Sequence, residues 1–572
     1  MKKFILPSFI LLALCASAQT KSDDKKVPEK AEQFLSATYN CLSFRNIGPA
    51  VTSGRVIDIA VNPNNKSQWY IAAASGGVFK TNNAGITFEP IFDTYGAYSI
   101  GCLAIDKNNT NVVWVGSGEN NNQRSVAYGD GIYKSEDGGK SFKNMGLSKS
   151  EHIGNIEIDQ QNSDIVYVSA YGPLWAPGGE RGIYKTADGG KTWNCILHVS
   201  DQTGFNEVHI DPKHNNILYA CAHQRRRHEW AYISGGPESA IYKSTDFGAT
   251  WQKLSKGLPS VDMGRISLAV SPINSDMLYA AIEARGDAKG LYKSVDRGAS
   301  WTKESAYATD GNYYQELIAD PKILNRIYSM ATWAQVSNDG GKSFKNLGEK
   351  SKHVDNHCIW IDPDNSDHYL IGCDGGLYES FDAAQTWDFK ANLPITQFYR
   401  VCVDHSKPFY YIYGGTQDNN TLGGPSRSIS GSGIINADWF VTVGGDGFQS
   451  RVDPMEPNIV YSQWQYGGLV RYDRKSGETM DIRPIEKEGE AAYRFNWDAP
   501  LIISNHNNKR IYFAANKVFR SDDRGNSWTV ISSDLSRGID RNKLPMMDKV
   551  WSVDAVAKNQ STSIFGNITA LA

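Results

Sequence analysis

Apolar and polar residues alternate with a period of two along most of the chain, in short runs broken by Gly, Pro, Asn and Asp. Val56-Ile57-Asp58-Ile59-Ala60-Val61 runs into Asn62-Pro63, and Trp69-Tyr70-Ile71 follows. The same arrangement recurs from Ile266 to Pro272 before Met277-Leu278-Tyr279, and from Ile359 to Pro363 before Tyr369-Leu370-Ile371. Runs of this length and period, bounded by turn residues, are β-strands. A third strand of Tyr-Lys-Ser/Thr type comes next, as in Ile132-Tyr133-Lys134-Ser135 and Ile241-Tyr242-Lys243-Ser244. Each unit therefore predicts strand A, turn, strand B, loop, strand C, turn, strand D.

The turn between C and D carries a signature: Ser or Thr, any residue, Asp, any, Gly, any, Ser or Thr, aromatic. Ser135 to Phe142 is one copy, and others run from Thr186 to Trp193, Ser244 to Trp251, Ser294 to Trp301, Ser337 to Phe344 and Ser521 to Trp528. Two copies are degenerate: Thr81 to Phe88 has Asn83 for Asp, and Ser380 to Trp387 has Ala384 for Gly. Successive copies lie 54, 51, 58, 50, 43 and 43 residues apart, and the last follows after 141, room for two repeats without the signature. The Asp closes an Asx-turn on nearby N–H groups, and the Gly takes a positive φ at little cost. The signature is a hairpin turn, not a catalytic constellation.

A four-stranded unit every four to five dozen residues is one blade of a β-propeller. Strand A starts near residues 55, 99, 153, 205, 265, 314, 356, 398, 448 and 499, giving ten units. Gly566 to Leu571 reads as the start of an eleventh, so the sequence reads as cut off within a repeat. The fold expected is all-β: tandem seven-bladed propellers with the second incomplete, the first over 40–393 and the second over 394–572. A single ten-bladed ring is the rival.

The turn signature matches the Asp-box, or BNR, repeat by residues and spacing. With Phe44-Arg45-Asn46-Ile47-Gly48-Pro49 and Gly54-Arg55-Val56, the chain resembles the BNR-repeat exported proteins of the sortilin (Vps10) and glycoside hydrolase family 74 type. That resemblance implies β-propellers: one ten-bladed ring in sortilins, two seven-bladed rings in the xyloglucanases. The xyloglucanases use two Asp residues, one just before the Gly-Gly after strand B of the first blade. Here that stretch is Ala72-Ala73-Ala74-Ser75-Gly76-Gly77-Val78-Phe79, with no Asp. Sialidases share the Asp-boxes, but their three Arg residues and six-bladed ring do not match this pattern.

Composition adds an address and removes some partners. Lys2 and Lys3, the apolar run Phe4 to Leu14 and Ala16-Ser17-Ala18 form an export signal over 1–18, followed by a polar leader expected to be flexible over 19–39. A lipoprotein reading at Cys15 is weaker, because Leu14 is bulky. The address is periplasmic, cell-surface or secreted. Lys plus Arg is 59 against 62 for Asp plus Glu, a net charge of −3 over 572 residues, which gives no support for nucleic-acid binding. Past the signal, no apolar stretch reaches the roughly 18 residues of a membrane span. Cys41, Cys102, Cys195, Cys221, Cys358, Cys373 and Cys402 form no CxxC pair and read as buried free thiols. His223 with His228 and His353 with His357 form no metal motif, and no cofactor is expected.

Consecutive hairpin turns alternate between the ends of a sheet, so A–B turns share the face of the signature turns and B–C loops lie opposite. The B–C loops are long, and loops on a rigid scaffold carry function. Glu119 and Arg124 in the second unit, Trp175 in the third, Arg226 and Trp230 in the fourth, and Gln417 are candidate ligand-binding residues. Exposed Trp beside Arg and carboxylates suits sugar stacking or peptide anchoring. The plainer alternative for any one is a solvated loop whose Trp packs back on its sheet, and Arg225 to Arg227 read as a solvated loop tip. Asp374, Asp418 and Asp446, each near glycines, are weak catalytic candidates, since paired carboxylates hydrolyse glycosides; Asx-turn capping is the plainer role. The expected function is binding of polysaccharide or of a protein or peptide ligand opposite the signature turns, with xyloglucanase-like hydrolysis as the alternative.

Overall fold

The computed structural model describes residues 36–39, 41–48, 51–124, 126–314, 316–560, 562 and 564–572. The export signal expected over 1–18 and the leader up to residue 35 lie outside the described residues. Within the leader, Ser36–Tyr39 forms one turn of 3-10 helix. Residues 1–46 and 47–572 are separate compact units, and all that follows concerns the second.

The described residues contain ten antiparallel sheets, each with four strands in sequence order and one with a fifth, and no α-helix. The innermost strands begin at Val56, Ile100, Ile153, Thr203, Met263, Leu317, Asn356, Phe398, Arg451 and Leu501, each within three residues of the start the repeat predicts. The second strands of the first three sheets are buried throughout: Trp69–Ala73, Val113–Ser117 and Val166–Ala170. Fourth strands such as Gln252–Lys253 are short and exposed, which blunts the sheet edge. The expected eleventh strand is not formed: 566–572 is irregular, held where Ile568 N donates to Ala515 O at 2.8 Å and Arg494 Nε to Gly566 O at 3.1 Å.

The signature turns fold as their chemistry requires. Ser135 Oγ donates to Asp137 Oδ1 at 2.8 Å and accepts from Gly139 N at 2.8 Å, while Asp137 accepts Ser141 N at 2.9 Å and Ser141 Oγ at 2.6 Å. The residue after each Asp (or Asn83) is also left-handed and donates its N–H to the A–B turn of its own sheet, as Gly138 does to Asn111 O at 2.8 Å and Arg297 to Asp276 O at 3.0 Å. Signature turns and A–B turns therefore share one end of each sheet. In three copies the closing Trp latches the preceding sheet: Trp193 Nε1 donates to Met145 O at 2.9 Å, Trp387 Nε1 to Gly348 O at 2.9 Å and Trp528 Nε1 to Ile482 O at 2.7 Å, whereas Trp251 Nε1 donates to Gly248 O in its own turn at 3.1 Å.

Seven apolar clusters lie between successive sheets from the first to the seventh, the last joining the seventh to the first. In that last cluster Val56, Trp69 and Ile71 pack with Cys358, Leu370 and Leu377. Equivalent positions on the seven innermost strands are Asp58, Cys102, Asn155, Glu207, Ser267, Glu316 and Cys358. Several bridge to the next strand: Asp58 Oδ2 accepts Leu103 N at 2.7 Å, Asn155 Oδ1 accepts Val208 N at 2.9 Å and Glu207 Oε2 accepts Leu268 N at 2.8 Å. Cys102, Cys221, Cys358 and Cys373 are buried free thiols, as expected of most of the seven, whereas Cys195 and, in the first unit, Cys41 are exposed and Cys402 is half-buried.

Candidate functional site

Arg55 enters the innermost strand of the first sheet and is buried at the end of the sheets away from the signature turns. Its Nε donates to Asp374 Oδ1 at 2.7 Å and its Nη1 to Glu119 Oε1. His357 Nε2 donates to the same Asp374 oxygen at 2.8 Å, and the Tyr313 hydroxyl donates to Asp374 Oδ2. Asp418 hydrogen-bonds Asp374 through its side chain, and Asp418 N donates to Asp446 Oδ1 at 2.7 Å. Gln465 Nε2 donates to Asp446 Oδ2 at 2.7 Å. The three Gly-flanked acids, 72 residues apart at the extremes of the sequence stretch (374 to 446), thus meet in one cluster rather than capping separate turns.

The environment divides the three carboxyls. Burial pushes Asp374 up, but Arg55 and then His357 outweigh it and hold the carboxyl well below its usual range. Burial raises Asp418 well above that range, and repulsion from Asp374 and Asp446 adds to it. Burial also raises Asp446, against the opposing N–H bond from Asp418. The surroundings favour charge on Asp374 beside the guanidinium and disfavour it on Asp418, as expected when like charges crowd together.

Beside this cluster lies a 570 Å³ cleft lined by Arg55, Tyr98, Glu119, Gln123, Arg124, Tyr399, Gln417 and Trp497. Arg124, Tyr399 and Trp497 also line a second cavity of 730 Å³, with Trp175, Arg227 and Phe448. The Arg124 guanidinium lies 3.4 Å from the centre of the Trp497 ring, a cation–π contact. Arg55 Nη2, Gln123 Oε1 and Arg124 Nε are buried and make no hydrogen bond within the protein. Unsatisfied polar atoms are expensive in a protein interior and concentrate where a ligand or water completes them.

The loop carrying Glu119 to Arg124 is pinned from beneath. Arg225 Nη1 donates to Asn121 O at 3.1 Å, Arg227 Nη2 to Asn122 O at 2.5 Å and Arg265 Nη2 to Asn120 O at 2.9 Å. The expectation of a solvated Arg225 to Arg227 tip is therefore overturned. The three residues extend the strand His214–Arg227, pair with Tyr232–Ser234 and are buried. Burial pushes each guanidinium down to about 10.

Of the sequence candidates, Glu119, Arg124 and Gln417 line the cleft, and Trp175 lines the adjoining cavity. Arg226 and Trp230 line neither. Strand alternation turns Arg226 away from its neighbours, so its Nη2 donates to Gln202 Oε1 at 2.9 Å. Trp230 stacks on His228 with ring centres 4.6 Å apart and packs beside Ala231, Ile233, Met546 and Trp551, so it packs back as the plainer alternative held. Arg55, Tyr98, Gln123, Tyr313, Tyr399 and Trp497 join the site without belonging to the sequence candidates. Only Arg55 had a signal, in the Gly54-Arg55-Val56 stretch.

The model of the family "Sortilin, neurotensin receptor 3" matches residues 130–256. A curated protein of Neosartorya fischeri, named "Probable oligoxyloglucan-reducing end-specific xyloglucanase", is 24% identical over 264 residues, 44% of this chain and 28% of its own length. The chain thus spans well under a third of that relative. The crystal structure of the glycoside hydrolase family 74 xyloglucanase from Xanthomonas campestris is 13% identical, with a TM-score of 0.52 over 85% of this chain and 81% of that one. The comparisons support a sortilin-like and xyloglucanase-like β-propeller. The all-β architecture of four-stranded sheets agrees with this. Among the described residues, no helix is long and apolar enough to cross a membrane, which says nothing of membrane β-barrels.

Proposed function

We propose that this chain is an exported propeller protein that binds an extended glycan in the cleft opposite the signature turns. Its first seven sheets, within 40–393, make one ring, and the sheets of 394–572 belong to a second; the seven clusters ending between the seventh and first sheets support that division. The observation that carries the reading is the cleft lining. Aromatic side chains from Tyr98, Tyr399 and Trp497 stand beside three polar atoms that have no partner in the protein, Arg55 Nη2, Gln123 Oε1 and Arg124 Nε. Sugar rings stack on aromatic faces and present hydroxyls in several directions. The test is retention of the intact chain on a panel of immobilised polysaccharides, xyloglucan included. Trp497→Ala is expected to weaken retention about tenfold, a loss of about 1.4 kcal/mol. Unchanged retention in that variant, or none on any polysaccharide, refutes the reading, and binding to an envelope protein would put a protein ligand in the cleft instead.

Hydrolysis is a second reading, favoured by one observation: neighbouring carboxyls are driven in opposite directions, the arrangement that separates an acid from a base. Their spacing speaks against it. Glycosidase carboxyls stand about 5–5.5 Å apart in retaining enzymes and about 6.5–9.5 Å apart in inverting ones, whereas Asp418 hydrogen-bonds Asp374 directly. Reducing-end release from xyloglucan, abolished in Asp418→Asn, would establish this reading over plain binding.

A further inference from the structure

A second constellation lies among the innermost strands, apart from the cleft. A cavity of 140 Å³ is lined by Asp58, Asn120, Glu207, His209 and Glu316. Asp58, Glu207 and Glu316 each accept an N–H from the next innermost strand, Glu316 Oε2 from Ile359 N at 3.3 Å. That bond does not call for a charge, because Asn155 makes the same bridge to Val208 N from the equivalent position. Glu207 is matched by His209, whose Nε2 lies 3.1 Å from Glu207 Oε2, so Asp58 and Glu316 are the two acids that bring more acidity into the cavity than the architecture uses. An independent observation points the same way. Asn120 is 3% exposed, its Nδ2 is spent on Gly101 O and Gly154 O, and its Oδ1 accepts nothing. Carboxylates with an unfilled amide oxygen make a site for a donor of positive charge.

The approach has an apolar wall and a charged rim. A 460 Å³ cavity toward the A–B turns is lined by Ile59, Leu103, Ile105, Ile156 and Trp360, with Lys66, Lys107, Asp106, Glu157, Asp159 and Asp364 also on its wall. The two cavities adjoin: Glu157 lines the larger one, and its Oε1 lies 3.7 Å from Nδ1 of His209, which lines the smaller. An apolar wall with an acidic end suits a long side chain that buries its methylene stem and carries charge at its tip.

We propose that these cavities receive a lysine or arginine side chain of a partner peptide, entering from the face of the signature turns. The stem lies along Ile59, Leu103 and Ile156, and the ammonium or guanidinium reaches Asp58, Glu207, Glu316 and Asn120 Oδ1. This surface is opposite the cleft, so the inference stands independently of glycan binding.

The test is calorimetric titration of the intact chain at pH 7.5 with acetyl-Gly-Lys-Gly-amide and with the same peptide carrying norleucine. Saturable binding of the lysine peptide, at least tenfold tighter than the norleucine peptide, is expected. The double variant Asp58→Asn, Glu316→Gln keeps oxygens to accept the N–H bonds and is expected to lose at least tenfold in affinity. Equal binding of the two peptides, or no binding of either, overturns the proposal even if the double variant fails to fold. Spermidine binding as tightly as the lysine peptide overturns the peptide assignment, and so does displacement of that peptide by calcium chloride.

Discussion

Gly190 shows how narrowly a single turn position is specified. Its φ is +94°, and a Cβ there would come within 2.5 Å of Trp114 Cη2 in the preceding sheet. Gly190→Ala is expected to cost about 2 kcal/mol, from left-handed strain and overpacking together, read as a lower urea midpoint. Ser135 is buried, and its Oγ is the acceptor for Gly139 N. Ser135→Ala leaves that N–H unsatisfied and is expected to cost about 1–3 kcal/mol in the same measurement. The turn carboxylates Asp137, Asp188, Asp246 and Asp296 are drawn down to about 2, chiefly by the hydroxyl and N–H of the Ser or Thr four residues on. A folded-state value below the unfolded one adds stability above pH 4 that disappears as pH falls from about 4 to about 2. Melting temperatures are expected to drop across that window, and less steeply when several of these Asp are replaced by Asn.

At the scale of the strand, acids buried on the first and second strands of a sheet act in the opposite sense. Burial raises Asp58 to about 6 and Glu283 to about 7. Between the unfolded and folded values the native state binds the extra proton, so stability falls as pH rises from about 4 toward 6 or 7. Asp58→Asn keeps an acceptor for Leu103 N and removes the charge. It is expected to stabilise the protein by about 1 kcal/mol at pH 7.5 and to change nothing at pH 4. A thermal melt at the two pH values checks both halves. The same alternation along a strand explains why Arg226 fails as a cleft residue while Arg227 lines the adjoining cavity: successive side chains leave opposite faces, and the sequence contained no sign that His214–Arg227 continues as a strand into the arginines.

At the scale of the whole molecule, packing is unequal. The innermost strand of the seventh sheet, Asn356–Asp362, is almost wholly buried, whereas that of the eighth, Phe398–Val403, exposes Tyr399, Val401 and Val403. Strands with fewer buried contacts open at lower free energy. Hydrogen exchange followed by mass spectrometry is expected to label 398–403 faster than 356–362, and equal protection would contradict this. The C-terminal residues meanwhile pack across the fourth and fifth sheets. Trp551 and Met546 cover Ala231 and Ile233, Asn559 N donates to Tyr232 O at 2.8 Å, and Arg285 pairs with Asp554.

The sequence by itself determined the repeating part of this protein. A two-residue period and a turn built from neighbouring side chains are local, so the strand starts, the hairpin turns and the two sheets without the signature were all legible before any coordinates. It also marked Glu119, Arg124 and Trp175, because long loops between regular strands stand out against the repeat, and Gln417, in the Gly-rich stretch beside Asp418. Only the tertiary structure decided which of these share a cleft. Asp374, Asp418 and Asp446 meet through contacts between separate sheets, Trp497 finds Arg124 across more than half the sequence, and the arginine strand is fixed by carbonyls of a loop about a hundred residues earlier. Such contacts leave no periodic trace, since they depend on how whole sheets are brought together and not on the order of residues within any one of them.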